Sequence, residues 1–257
     1  MTSSLSLEVW CQTDVGLKRE HNEDSFLFDK EIGLYSVADG MGGHRGGEVA
    51  SRMAVESLRD VVQKAVKSVD NNQGAQQQRP INPRPLLTRA YQTACRTIHE
   101  ASHKMNLVGM GTTLVSAFFT QNTVYIANVG DSRAYLISQG HMWQLTEDHS
   151  LLSEKLRAGL ISEAEIAKST PRNVITRSVG FEEDVQVDLL EKELQDGDML
   201  LLCSDGLSGL VSDKRIFEIC STNVHSNIVS ICINEAKLNG GDDNVTVMLL
   251  CAQLHTN

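Results

Sequence analysis

Four aspartates each close an apolar run and enter a glycine-containing turn: Asp39 in "YSVADG", Asp131 in "IANVGD", Asp205 in "LLCSDG" and Asp243 in "GGDDNVTV". A fifth acidic group, Glu23 and Asp24 in "NED", opens the apolar run "SFLF". Asp-Gly is a standard turn dipeptide, so any one of these alone reads as a turn. Together they say more. Acids at the ends of separate strands can meet at one sheet edge, and like charges held there are costly unless cations neutralise them. The candidate ligands are all oxygen, with no His/Cys cluster at zinc spacing and no twelve-residue calcium loop. A few hard carboxylates with room for water suit Mg²⁺ or Mn²⁺.

The stretch after Asp39 carries a second candidate chemistry. Gly40, Gly42, Gly43, Gly46 and Gly47 crowd between an apolar run and a helical alternation, as a phosphate-cradling loop does. The pattern departs from the dinucleotide fingerprint in two ways. Arg45 stands where the third glycine belongs, and the acid about twenty residues on, Asp60, falls inside the helical stretch rather than at a strand end. No Walker-type "GK[ST]" exists in the chain. The carboxylate reading is the stronger of the two.

These acids need strands to hold them. "LSLEVWC", "SFLF" and "GLYSVA" read as short strands. From Glu48 to about Lys67, Val49, Met53, Leu58, Val61 and Ala65 recur at helical spacing, and a second helix over about Leu86–Met105 places Leu87, Tyr91, Ala94, Ile98 and Ala101 on one face. Between them, residues 70–85 are Gln-rich, hold three of the four prolines and read as a mobile loop. "TTLVSAFF", "TVYIANV", "RAYLIS" and "HMWQL" read as an antiparallel meander. Residues 150–169 read as two short helices, with "SEAE" as a capping box. "VQVDLLE", "DMLLLC" and "NVTVMLL" are later strands, with helices at "DKRIFEIC" and "SNIVSICINEAKL". Strands and helices come in runs, which indicates an α+β protein built on antiparallel sheets.

Bulk properties set bounds. The 257 residues, 41% hydrophobic, suffice for a sizeable core, and the net charge of −10 argues against a nucleic-acid partner. Six cysteines without a CxxC pair read as small buried hydrophobes in a reducing compartment. No secretory leader and no apolar stretch of membrane-spanning length is visible, so a cytoplasmic location is expected.

The same residues resemble the metal-dependent serine/threonine protein phosphatases of type 2C. The blocks "TDVGLKREHNEDSF", "VADGMGGHRGGEVAS", "GMGTTLVSAFF", "ANVGDSRAYL", "LTEDHSLL", "RNVITRSVG", "LLLCSDGLSGLV" and "GGDDNVTVMLL" follow the family's order and cover nearly the whole chain. The "DGMGGH" form is similar to the bacterial branch, since Met41 stands where animal and plant members carry a histidine. The resemblance implies one catalytic domain over residues 1–257, a four-layer αββα sandwich of two antiparallel sheets flanked by helix pairs, with a flap over about 150–172. It implies that Asp39 bridges two Mn²⁺ or Mg²⁺ ions, with the Gly40 carbonyl, Glu23, Asp205 and Asp243 completing their shells. Asp131 joins Asp205 at a weaker third ion. Asp24 and Asn244 support the ligands, and Arg19 clamps the substrate phosphate. The implied reaction is in-line attack by water shared between two cations on a phosphoserine or phosphothreonine.

Implied partners are phosphorylated Ser/Thr proteins, among them a partner Ser/Thr kinase, and the expected state is a monomer. A silent binding module on the same fold and a phosphohydrolase of small molecules are the rival readings. Other phosphatase classes fail: Gly209 replaces the arginine a Cys203 thiolate loop needs, and "GNHE" is absent. Among the histidines, His44 is the candidate general acid, His149 reads as a loop anchor and His21 as exposed or supporting. In the flap, Thr170 stands before Pro171 where bacterial relatives often carry histidine.

Overall fold

The computed structural model describes residues 4–42, 46–70, 81–162 and 174–255. His44, most of the Gln-rich loop and Thr170–Pro171 lie outside the described residues, as do the expected second flap helix and most of its "SEAE" box.

Two antiparallel sheets stack face to face. One has the order β1 (Ser4–Asp14), β11 (Val245–His255), β10 (Met199–Cys203), β7 (Arg133–Ser138), β8 (His141–Gln144). The other has the order β2 (Asp24–Asp29), β3 (Leu34–Met41), β5 (Leu114–Thr120), β6 (Thr123–Val129), β9 (Asp188–Glu193), with the two-residue β4 (Gly111–Thr112) also on β3. Helices α1 (Gly46–Asp70) and α2 (Pro83–Lys104) cover the second sheet. Helices α5 (Asp213–Thr222) and α6 (His225–Leu238) cover the first. The short α3 (Leu151–Arg157) and α4 (Asp205–Ser208) complete the described helices. This is the expected four-layer sandwich.

Alternation explains the layering. In β10, Leu200 and Leu202 face the other sheet while Met199, Leu201 and Cys203 face α5 and α6. In β11, Met248 and Leu250 point inward and Val247 and Leu249 outward. Both faces are covered, so these strands read as unbroken apolar runs. On the other side, Tyr91 of α2 is fully buried and its hydroxyl bonds to Ala127 O at 2.8 Å and Ser116 Oγ at 2.9 Å, which ties the helix to β5 and β6.

Two expectations need correction. The deepest stripe of α1 is Ala50, Ala54, Leu58 and Val62, and Val49, Met53, Val61 and Ala65 pack at its margin. The small alanines allow close approach to the sheet, which puts them innermost. The meander is also split. β5 pairs with β6 and β7 with β8, but β6 and β7 lie in different sheets. The chain crosses between them at Gly130–Ser132, where Gly130 adopts φ +109 and an added Cβ would stand 2.6 Å from Thr113 Cβ. That crossing puts Asp131 at the edge of the sandwich rather than in a hairpin.

Candidate active site

The strand register begins the site. Asp24 and Asp39 are direct partners on β2 and β3. Asp39 is fixed through its backbone: its N–H donates to Thr113 Oγ1 at 2.9 Å, and its carbonyl accepts from Thr113 N and Thr112 Oγ1, each at 2.8 Å. Thr113 Oγ1 in turn lies 2.7 Å from Ser132 Oγ, linking Asp39 to the crossing that carries Asp131. Gly40 N–H donates to Glu23 O, and a Cβ on Gly40 would meet Gly47 O at 2.1 Å. Only glycine lets these segments come so close.

Asp205 and Asp243 arrive from the first sheet. Asp205 starts α4 directly after β10, and Asp243 precedes β11. The two turns are in contact, since a Cβ on Gly206 would stand 1.9 Å from Asn244 O. Asn244 is buried, and its Oδ1 accepts from Glu23 N at 2.8 Å while its Nδ2 donates to Val15 O and His21 O, each at 2.9 Å. One amide side chain therefore holds the loop that bears Arg19 and Glu23. Asp24 is buried too, and its Oδ2 accepts from Thr246 Oγ1 at 2.7 Å and Ser204 Oγ at 2.9 Å.

The result is a cleft of about 640 Å³ lined by Arg19, Glu23, Asp39, Gly40, Asp205 and Asp243. Asp205 and Asp243 also wall a second cavity of about 410 Å³, which holds Asp131. Thus the structure brings together every site residue expected from the sequence and described here, and places Asp131 on the far side of Asp205.

Electrostatically this is a strained anionic cluster. Burial pushes the Asp131 and Asp24 carboxyls up to about 7, and Asp205 adds to the effect on both. Asp39 is raised well above the carboxylate range, by burial first and then by Asp24, Asp205 and Asp131. Asp205 is raised by burial first and then by Asp243, against a side-chain hydrogen bond with Asp39 that lowers it. Burial also raises Glu23. Among the described residues, Arg19 faces the cluster from the cleft, its Nη2 donating to Asp243 Oδ2 at 2.7 Å, and Arg133 lowers Asp131 and Asp205 from the other side. Among the described residues, no three acids already stand as a closed coordination set.

Several further residues support the cleft; from the sequence, His149 reads as a loop anchor and His21 as exposed or supporting, and Arg133 is not singled out. His21 lines the cleft. His149, 1% exposed, grips Gly130 from both sides: its Nδ1 accepts from Gly130 N at 3.0 Å, and its backbone N–H donates to Gly130 O at 3.0 Å. Its Nε2 therefore carries the proton and donates to Asp188 Oδ2 at 3.1 Å. Burial lowers its pKa, against the pull of Asp188. Arg133 clasps Asp148 at 2.7 Å beside Asp131. Neither His149 nor Arg133 has a spacing signal in the sequence; "EDHS" shows only a polar turn.

The sequence model described as "Protein phosphatase 2C" matches residues 17–232. The chain belongs to the protein phosphatase 2C family. It is 41% identical over 244 residues, 93% of each chain, to the serine/threonine phosphatase stp of Listeria innocua. It is 34% identical to the protein phosphatase PhpP of Streptococcus pneumoniae over 95% of this chain and 97% of that one. Among solved structures, the Mycobacterium tuberculosis serine/threonine phosphatase PstP/Ppp aligns with a TM-score of 0.83 at 32% identity, covering 96% of this chain and 99% of that one. The catalytic domain of PstP in complex with two manganese ions aligns equally well, TM-score 0.83 at 31% identity, over 98% and 100% of the chains. The anionic cleft of this family member sits where its two sheets meet. Among the described residues, no helix is long and apolar enough to cross a membrane.

Proposed function

We propose that the chain is a metal-dependent phosphatase that hydrolyses phosphoserine and phosphothreonine in proteins. The observation that carries this reading is the buried oxygen cluster beside Arg19. Asp131 Oδ1 and Asp24 Oδ1 are buried without a hydrogen-bond partner, and burial together with neighbouring acids raises both Asp39 and Asp205. Such oxygens suit divalent cations. In this reading Asp39, the Gly40 carbonyl, Glu23, Asp205 and Asp243 hold two Mn²⁺ or Mg²⁺ ions, and Asp131 with Asp205 holds a weaker third. Bound there, the ions supply Lewis acidity that lowers the pKa of water and offsets phosphate charge.

The chain's own groups do the rest. Arg19 presents a planar fork to the phosphate oxygens when it turns from Asp243, and its charge stabilises the equatorial oxygens as the ester bond breaks. Asn244 keeps the loop that carries Arg19 and Glu23 in register with Asp243. Asp24, held by Ser204 and Thr246, directs its remaining oxygen toward the acid cluster. A histidine, either His44, which follows the Asp39 segment in sequence, or His21, which lines the cleft, protonates the departing Ser or Thr oxygen. The relatives named above are protein phosphatases, which supports phosphoproteins as substrates, with a Ser/Thr kinase among them. The six cysteines are free, five of them buried, in keeping with a cytoplasmic, reducing setting.

The test is direct. Protein treated with EDTA should lose turnover of a phosphothreonine peptide, and Mn²⁺ or Mg²⁺ should restore it. Full activity in metal-free buffer overturns the reading.

A further inference from the structure

A second groove, of about 610 Å³, opens beside the catalytic cleft and shares Met41, Gly42 and Ile175 with it. Its floor is free of side chains at two points. Gly42 takes φ +138, with an added Cβ 2.7 Å from Met110 Cα, and Gly109 takes φ +91 with nothing within 4 Å of an added Cβ. A groove with glycine at two lining positions, continuous with the cleft that holds Arg19, has room for an extended polypeptide.

The outer wall is firmly built. Thr112 and Val179 exchange backbone hydrogen bonds at 3.0 and 2.8 Å. Gly180 N–H donates to Cys95 Sγ at 3.3 Å, and the Cys95 thiol donates to Glu182 O at 3.1 Å. Val179 and Val185 are buried against α2. From this pinned loop Phe181 projects into solvent, 60% exposed, and lines the groove. Glu182 and Asp184 are exposed along the same wall. Neither makes an ion pair among the described residues. Among the described residues, the groove's one lining cation is Arg177, which is bound to Asp188 Oδ1 at 2.7 Å. The described wall is therefore apolar at Phe181 and negative at Glu182 and Asp184.

We infer that this groove seats the substrate polypeptide next to the phosphorylated residue, and that Glu182 and Asp184 select lysine or arginine there, with Phe181 packing an apolar neighbour or the side-chain stems. The inference rests on the phosphatase reading for its orientation, because the groove leaves the cleft that holds Arg19. Charge complementarity gives the occupant: two exposed acids facing two bases favour binding by about five- to tenfold at low salt, and less at high salt.

The test uses two phosphothreonine peptides identical except for lysines or glutamates within three positions of the phosphothreonine. Binding is read by fluorescence anisotropy and turnover by phosphate release. Wild type should favour the lysine peptide about five- to tenfold, with the gap shrinking in 0.5 M salt. Glu182→Lys with Asp184→Lys should reverse the preference, and Glu182→Gln with Asp184→Asn should abolish it. Phe181→Ala should raise KM for both peptides. Equal handling of the two peptides by wild type, or a preference unchanged in the lysine variant, overturns the inference. Selective binding without turnover of either peptide or of nitrophenyl phosphate supports the groove and overturns the phosphatase reading instead. A concentration-dependent dimer lost in Phe181→Ala, with peptide affinity unmoved, assigns the face to a second copy and overturns the inference.

Discussion

Arg19 Nη2 lies 2.7 Å from Asp243 Oδ2, so the group proposed to clamp phosphate is paired with a carboxylate proposed to hold a cation. The two roles exclude that pairing. An ion on Asp243 frees the guanidinium, and a phosphate then accepts it. Removing the arginine removes a competitor for Asp243 and a donor to the phosphate. Arg19→Ala should raise KM for a phosphopeptide and lower kcat/KM by about ten- to a hundredfold, the range of a charge-assisted hydrogen bond. It should leave Mn²⁺ affinity equal or tighter. Arg19→Lys should recover only part, because a point charge lacks the fork. Peptide kinetics and Mn²⁺ calorimetry check both halves, and wild-type KM in the alanine variant contradicts the assignment.

Asp39 and Asp205 are the acids whose loss should hurt most, since they are hydrogen-bonded to each other in the cleft and Asp205 also walls the second cavity. Asp39→Asn and Asp205→Asn should each lower turnover by at least ~10²-fold, the cost typical of removing one preorganised electrostatic group. Asp131→Ala sits on the far side of Asp205 and should retain two tight Mn²⁺ sites while losing the weakest. Anomalous scattering from Mn²⁺-soaked crystals counts the ions. Loss of all of them in Asp131→Ala is the contrary outcome.

The carboxyl shifts give a stability prediction with a defined sign. Asp131 rises from the ordinary 3.8 to about 7 in the folded protein. A raised folded value means stability fully present below the unfolded value and lost as pH climbs through the folded one. The EDTA-treated protein should therefore lose stability from this group between about pH 4 and 7. Asp131→Asn should remove that slope and raise the melting temperature of chelated protein at pH 8. His149 and Asp188, both lowered, act in the opposite sense and lose stability as pH falls, so the comparison is made variant against wild type at each pH. Identical pH profiles would falsify the buried-anion account. Mn²⁺ at a hundred times its dissociation constant should add about 2.7 kcal/mol by linkage.

The four aspartates of the cluster, Asp39, Asp131, Asp205 and Asp243, were legible because each adjoins an apolar run at a glycine-containing turn, and strands end where sheets do. Legible too were the α+β class and most elements, since buried strands and two-faced helices leave strong patterns. The split of the meander was not. "TVYIANV" and "RAYLIS" carry the same apolar code whichever sheet they join, and only Gly130's positive φ separates them. The supports were equally silent. Asn244 reaches Val15 and His21 across more than two hundred residues, and His149 reaches Asp188, 39 residues further along the chain. A lone amide or imidazole gives no period to read.

His149→Ala tests one of those supports. It leaves the buried Gly130 N–H without its acceptor and removes one of the two donors to Asp188, which keeps Arg177. A buried unmet group costs about 1–3 kcal/mol, and the lost ring adds a cavity. Urea denaturation should show a lower midpoint with an unchanged slope. His149→Asn keeps an acceptor within reach of Gly130 and should recover part of the loss. Midpoints equal to wild type in both variants would show that Gly130 is fixed by the Thr113 contact alone.

The last prediction concerns the proton that the departing oxygen must receive. Two histidines compete by position: His44 follows the Asp39 loop in sequence, and His21 lines the cleft beside Glu23. A serine alkoxide leaves poorly and gains about 10²–10⁴-fold from a general acid, whereas nitrophenolate needs little help. If His44 is the acid, His44→Ala slows a phosphoserine peptide far more than nitrophenyl phosphate, while His21→Ala affects the two substrates alike. If His21 is the acid, the pattern is reversed. The kcat profile against pH separates this from a loss of fold, because removing the acid erases the alkaline limb for the peptide and leaves the melting temperature in place. Equal slowing of both substrates by both variants, with both limbs intact, would assign the proton to neither histidine and leave water as its source.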